Sequence, residues 1–427
     1  MKNNKNKQSI SPWAWIPTLY FSEGIPYVVA ATNFSVIMYK QLGLSNVDAA
    51  LYTSWLYLPW VIKPFWSPIV DVLGTKRRWI WILQFVMGVL LAGVAFCIPM
   101  PFFLQSTLAL LWLAGFASAT HDIAADGFYM LALDSNEQSV FVGIRSTFYR
   151  ISMIVGQGVL VILAGWLEKR LGSVQAAWSY TLYGTGAFFV LLALYHRFVL
   201  PRPLNDRPAG DANSVKAFFN SFASFFKKPG IWMAIAFILL YRLGEAQLVK
   251  MASPFMLDPV EKGGLGLDTS QVGVVYGTVG VIALTVGGIL GGIYAAVKGL
   301  KNSLWVMLLF MNVPNLVYVA LAAFQPGNYF LVCAAVAVEQ FGYGFGFTAF
   351  MLYMIYVCQG EYQTSHYAIC TGIMALGMML PGMVSGYIQE FLGYTNFFVW
   401  VCICTIPIFI LCRWIRIEES FGKKNKC

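Results

Sequence analysis

The chain has 427 residues, of which 59% are hydrophobic, 16% aromatic and only 11% charged, with a formal net charge of +9. Soluble domains carry about a quarter of their residues as charged side chains, so this balance describes a polytopic membrane protein and excludes a soluble enzyme of this length. The longest polar stretch, residues 201–230, is too short to form a catalytic domain.

A spanning helix needs about 20 largely apolar residues, and the sequence predicts twelve of them. The first, 13–39, follows a basic tail, but Glu23 and Pro26 interrupt it and its length reads as a retained helix instead of a cleaved signal. The second and third, 49–70 and 79–99, flank "DVLGTKRR". There Asp71 and the basic Arg77 and Arg78 are expected to act as a gating motif, latching two helix bundles by charge and helix-dipole contacts. The fourth, 104–133, holds "SATHDIAADGFYM", and the fifth and sixth cover 144–167 and 176–199. Between 201 and 230 a turn-rich "PRPLNDRPAGDANS" leads into "VKAFFNSFASFFKK", whose apolar spacing and basic ends predict an amphipathic helix on the cytoplasmic membrane surface. The remaining spans are 231–256, 271–297, 303–324, 328–357, 366–390 and 396–415.

The expected division is an N-terminal six-helix bundle (1–200), a cytoplasmic linker (201–230) and a C-terminal six-helix bundle with a cytoplasmic tail (231–427). This all-α membrane architecture is that of the major facilitator fold, in which two bundles rock around a central site. Most of the 28 Lys and Arg residues fall on the side of the N-terminus. Only Lys40, Lys169, Arg170 and Lys262 fall opposite, which predicts both termini in the cytoplasm. That asymmetry accounts for the net charge without a nucleic-acid partner. The eight cysteines lie mostly in apolar runs with neither C-x-x-C spacing nor histidines beside them, and read as small hydrophobes.

A charge in the hydrocarbon region costs roughly 2.5 to 3.5 kcal/mol, so each needs a partner or a wet cavity. Glu23, Asp122, Asp126, Glu245 and Glu339 fall in spans 1, 4, 7 and 10, which line the central cavity in such a fold. Asp122 and Asp126 lie one turn apart on one face, with His121 about 100° away. Two carboxylates there repel, so one is expected to carry a proton, the competing reading being an ion pair with Arg145 or Arg150. Arg150 is the expected partner of a span-4 acid or of a substrate carboxylate, and Arg242 is expected to pair with Glu245. His121 suits either the cavity or a hydrogen bond to a neighbouring helix, while Lys63 and Lys250 are expected to snorkel. Tyr27, Asn33, Tyr129, Tyr241, Gln340 and Tyr343 offer rings and polar groups suited to a sugar.

The blocks "KPFWSPIVD", "ASATHDIAADGF", "YRISMIVGQG", "LYRLGEAQ", "GLGLDTSQVGVVYGTVG" and "VEQFGYGFGFTAF" give the chain an end-to-end resemblance to the AmpG-type permeases of the major facilitator superfamily. The resemblance implies proton-driven import of N-acetylglucosaminyl-anhydro-N-acetylmuramyl peptides across the inner membrane of a Gram-negative bacterium, for peptidoglycan recycling. Asp122, Asp126, Arg150, Tyr241, Arg242, Glu245 and Glu339 match its residues. It implies a monomer that takes a small glycopeptide or sugar and needs no cofactor or metal, only the proton gradient. His121 stands where the best-known members carry glutamine and Glu23 where they carry a small residue, a departure that bears on ligand charge or coupling. Because the broader family includes acetyl-CoA carriers, another glycoside or an acyl-CoA-like anion is the alternative substrate. Neither a nucleophile–base motif nor metal spacing accompanies His121, His196 and His366, so an enzyme is not expected.

Overall fold

A computed structural model describes residues 10–133, 135–207, 220–359, 363–419 and 421, and among them it is helical with no strand. Span 1 is two helices, α1 (Ile16–Ala31) and α2 (Asn33–Gln41), separated at Thr32, whose φ of −111° and ψ of −161° are extended. Neither Pro nor Gly makes this break. The Thr32 hydroxyl adds to its own N–H on the Val28 carbonyl, at 2.7 Å, and Ser35 donates to the Ala30 carbonyl at 3.1 Å, so side chains support the backbone carbonyls at the break.

Span 2 is likewise divided into α3 (Asn46–Trp55), capped by Ser45, and α4 (Leu58–Leu73), with Pro59 in the first turn where its missing N–H costs little. Then come α5 (Lys76–Cys97), α6 (Phe103–Ala132) and α7 (Ser135–Ile154). A π segment, Val155–Val159, joins α7 to α8 (Leu160–Leu171), and α9 (Val174–Val199) closes the first half. Span 7 breaks at Arg242, between α10 (Ile231–Tyr241) and α11 (Leu243–Leu257). A capping box of Asp268 and Gln271 opens α12 (Thr269–Val272), which runs through a π stretch, Gly273–Gly280, into α13 (Val281–Lys298). The chain ends with α14 (Leu300–Asn312), α15 (Leu316–Phe324), α16 (Tyr329–Cys358), α17 (Gln363–Ile403) and α18 (Ile406–Cys412).

Among the described residues 9 helical stretches are long and apolar enough to cross a membrane, which makes this an integral membrane protein. One of them, Ser365–Cys412, turns at Gly393, whose φ of 71° lies in the left-handed region, and so makes two passages. The broken pairs α1–α2 and α3–α4 supply the other two, giving the twelve expected. Breaks and π turns are tolerated here because they are buried in protein, where side chains and neighbouring helices re-satisfy the backbone.

Close helix contacts rest on small residues. A Cβ on Gly88 of α5 would lie 2.8 Å from the Gly186 carbonyl of α9, and one on Gly344 of α16 would lie 2.0 Å from the Leu284 carbonyl of α13. Of the expected amphipathic helix, residues 208–219 lie outside the described residues, and 220–226 are helical. The described part of this helix packs on protein: Phe225 is fully buried and its ring lies 5.5 Å from that of His366.

Candidate functional site

Helix α1 brings Glu23 against α6 because Gly24 permits a close crossing of α7, where a Cβ would lie 1.8 Å from Ser152 Oγ. The carboxylate oxygens of Glu23, Asp122 and Asp126 then lie within 4.8 Å of one another. Asp122 and Asp126 do share a face, as their spacing requires. Each has its own cation. Lys63 of α4 forms an ion pair with Asp122, so it does not snorkel, and Arg145 of α7 holds Asp126 at 2.8 Å. Arg145 also lies over the Tyr20 ring at 4.5 Å, and Tyr20 donates to Asp126 at 3.2 Å.

The partner of the span-4 acid is therefore Arg145 and not Arg150. Arg150 forms no ion pair among the described residues, and its guanidinium lies beside Gly288 of α13. Three acids meet two cations, and Glu23 Oε2 is buried without a hydrogen-bond partner. A metal ion fits this donor set poorly, since two of its three carboxylates are already engaged. Protein leaves the cluster uncovered on one side: the Asp126 side chain is 41% exposed and that of Asp122 21%.

A second cluster lies in the other half. The expected Arg242–Glu245 pair does not form, because the helix break at Arg242 turns its side chain toward Tyr343, to whose hydroxyl it donates at 2.5 Å. It also lies 5.2 Å from the Phe347 ring centre. Both Glu245 oxygens are buried and unpartnered. Glu339 is 0% exposed and accepts only from the Gln340 amide, at 3.0 and 3.3 Å, which also reaches the Tyr276 hydroxyl at 3.3 Å. Tyr241 faces away into packing, donating to the Gly346 carbonyl at 2.8 Å and stacking on Phe350.

His121 belongs to neither cluster. Its Nε2 lies 3.0 Å from the Gln84 amide nitrogen, and that amide also donates to Ser22 at 2.9 Å. Gln84 Oε1 in turn faces His196 Nδ1 at 2.8 Å, and His196 Nε2 faces Thr18 at 2.9 Å. This buried chain ties α1, α5, α6 and α9 together, and neither Gln84 nor His196 stands out in the sequence.

The two ends of the molecule differ. On the face opposite the linker, Lys40 pairs with Asp258 at 2.8 Å. Asn46 donates to Asp258 at 3.0 Å, Gln389 at 3.0 Å and Tyr394 at 2.8 Å, and Tyr394 donates to Asp258 at 2.6 Å. Burial works against the Asp258 carboxylate, but the hydrogen bonds from Lys40, Tyr394 and Asn46 outweigh it and hold the group below its ordinary 3.8. Lys169–Asp268 at 2.7 Å and Lys250–Thr53 at 2.9 Å add to this latch between the halves, so Lys250 does not snorkel.

On the linker face no ion pair joins the halves among the described residues. Asp206 caps α5, accepting from the Lys76 and Arg77 amides at 2.7 and 3.0 Å, while Arg77 binds the carbonyls of Leu200 and Arg197 at the end of α9. The expected gating motif thus fastens the linker to the first half here. Arg78 is exposed, and the Asp71 side chain lies outside the described residues.

Comparison with known proteins gives this geometry a context. The chain is 25% identical over 417 residues to the anhydromuropeptide permease of Escherichia coli strain K12, covering 94% of this chain and 81% of that one. An AmpG-named transporter of Rickettsia conorii is 25% identical over 411 residues, covering 93% and 94%. Among solved structures, a D-xylose–proton symporter superposes with a TM-score of 0.70 at 13% identity, covering 97% of this chain and 99% of that one. The nucleoside transporter NupG gives 0.67 at 18% identity, covering 94% and 98%. The Major Facilitator Superfamily model matches residues 18–365. With two helical halves, acids on four facing spans and one latched end, this chain is a transporter and belongs to the major facilitator superfamily.

Proposed function

We propose that the protein imports anhydromuropeptides across the inner membrane by proton symport, with both termini in the cytoplasm. The observation that carries this is the concentration of acids on spans 1, 4, 7 and 10, with one carboxylate in excess of its cations in each half. A carrier that moves a proton with its cargo needs a carboxylate that gains and loses it as access alternates. The named E. coli relative supports the choice of substrate. Arg150 and Arg242, placed on opposite halves, suit the carboxylates of a peptide, and the half-buried rings of Tyr27 and Tyr343 suit the apolar face of a sugar.

In this reading the latch of Asp258, Asn46 and Lys40 closes the periplasmic end, and the uncovered side of Asp122 and Asp126 opens to the cytoplasm. The state is inward-facing. A strain lacking the gene and any second permease is expected to release anhydromuropeptides into its medium. Restoration of their retention by the wild-type chain supports the proposal, and an unchanged medium contradicts it.

A further inference from the structure

We infer that the coupled proton resides on the Glu245–Glu339 pair of the second half, and not on Asp122 or Asp126. This rests on the proton-symport reading above and assigns its site. Asp122 and Asp126 are each held by a cation, so protonating either one displaces Lys63 or Arg145 from a formed ion pair, and Glu23 beside them lies within electrostatic reach of the same two cations. Glu245 and Glu339 have no such partner. Both are essentially inaccessible, at 2% and 0%, and they lie within electrostatic reach of each other.

The groups facing them are hydroxyls and amides. Tyr276 and Gln340 are hydrogen-bonded beside Glu339, and Tyr318 lies within electrostatic reach of both acids. Arg242 and Tyr343 are the other ionisable neighbours of Glu245, and they are engaged with each other. The Tyr318 hydroxyl is itself buried without a hydrogen-bond partner, on a fully buried side chain.

Two buried carboxylates served by one guanidinium, already spent on a hydroxyl, cannot both be ionised at acceptable cost. One proton bound to a carboxylate oxygen makes a neutral acid and removes one of the two buried charges. When the latch opens, the pair takes the proton from the periplasmic side. Sealed as here, it carries the proton inward, and a shift of Arg242 from Tyr343 to Glu245 would expel it toward the cytoplasm. The departure of this arginine from its i, i+3 neighbour is thus the loaded state of the carrier.

The test is infrared spectroscopy of the purified full-length protein in liposomes at neutral pH, which needs no substrate. A protonated-carboxyl stretching band is expected, lost or strongly reduced in Glu245→Gln and in Glu339→Gln, and unchanged in Asp122→Asn and Asp126→Asn. Gln340→Leu removes only the amide on Glu339 and is expected to displace the band, which keeps the test decisive where an acid variant does not fold. Absence of the band in the wild type, or its insensitivity to changes at 245, 339 and 340, overturns the assignment. In transport, the two glutamine variants are expected to lower the ratio of gradient-driven accumulation to substrate exchange until accumulation reaches only the equilibrium level. A wild-type ratio in both overturns the assignment. A protein that shows the band but moves no anhydromuropeptide contradicts the substrate and not the proton site.

Discussion

Replacing Gly277 with alanine should unseat the latched end, the one opposite the linker. Gly277 lies in the π stretch Gly273–Gly280 and touches the π segment Val155–Val159 of the other half. An added Cβ would sit 2.0 Å from the Gln157 carbonyl oxygen and 2.4 Å from the Gly158 nitrogen, against ordinary contact at 3.4–4 Å. Both neighbours are backbone and cannot turn aside, so the two spans must part by over an ångström. Overpacking of this kind costs about 1 to 3 kcal/mol. The clash exists only while the spans touch, so the cost falls on this conformation alone. The gain in helix propensity, up to about 1 kcal/mol, is common to both conformations and cancels. The ratio of latched to open protein should fall by about 5- to 150-fold.

Spin labels at Leu171 and Phe391, 46% and 88% exposed on that end of the two halves, report the change in a cysteine-depleted background. Electron–electron resonance should show a longer distance gaining population. Gly292→Ala is the control, because a Cβ there meets nothing within 4 Å. A distance distribution identical in Gly277→Ala and wild type refutes the reasoning.

Lys63→Met and Asp122→Asn should each destabilise the protein, and together by less than their sum. A double-mutant cycle on thermal unfolding is expected to give a coupling of about 1 kcal/mol for this partly exposed pair. Gln84→Leu should lower the melting temperature measurably, because it leaves His121 Nε2 and His196 Nδ1 without the amide they face, at about 1 to 3 kcal/mol for a buried group. The latch should be insensitive to pH over the range from about 5 to 8. Asp258 is held below 3.8 only while latched, so its contribution is complete above that value and disappears as pH falls through the depressed one. Asp258→Asn should weaken the latch across the whole range, read by the same labels.

Length and hydropathy were enough to place the twelve spans, and the rarity of charge within them marked the acids of spans 1, 4, 7 and 10. Periodicity put Asp122 and Asp126 on one face. What resisted reading was partner choice. Arg145 was legible only as one of two candidate partners beside Arg150, because polar residues hide the first turns of α7, which begins at Ser135 instead of 144. Arg242 and Glu245 have the spacing of a helical pair, but a break at Arg242 that no Pro or Gly signals removes the geometry on which the spacing depends. The same holds at Thr32. The hydrogen bond from Asn46 to Asp258 joins residues 212 apart, and nothing local in either segment announces the other. His121 attracted notice by its neighbours in sequence, whereas its contacts are set by Gln84, a single amide in an apolar helix.

Transport by proton symport requires that a proton gradient drive this cargo. Purified protein in liposomes should be given labelled N-acetylglucosaminyl-anhydro-N-acetylmuramyl peptide, with the compartment bearing the linker face held alkaline. Accumulation above the external concentration, abolished by a protonophore, is the expected result. Uptake that never exceeds equilibrium, or that ignores collapse of the gradient, would contradict it.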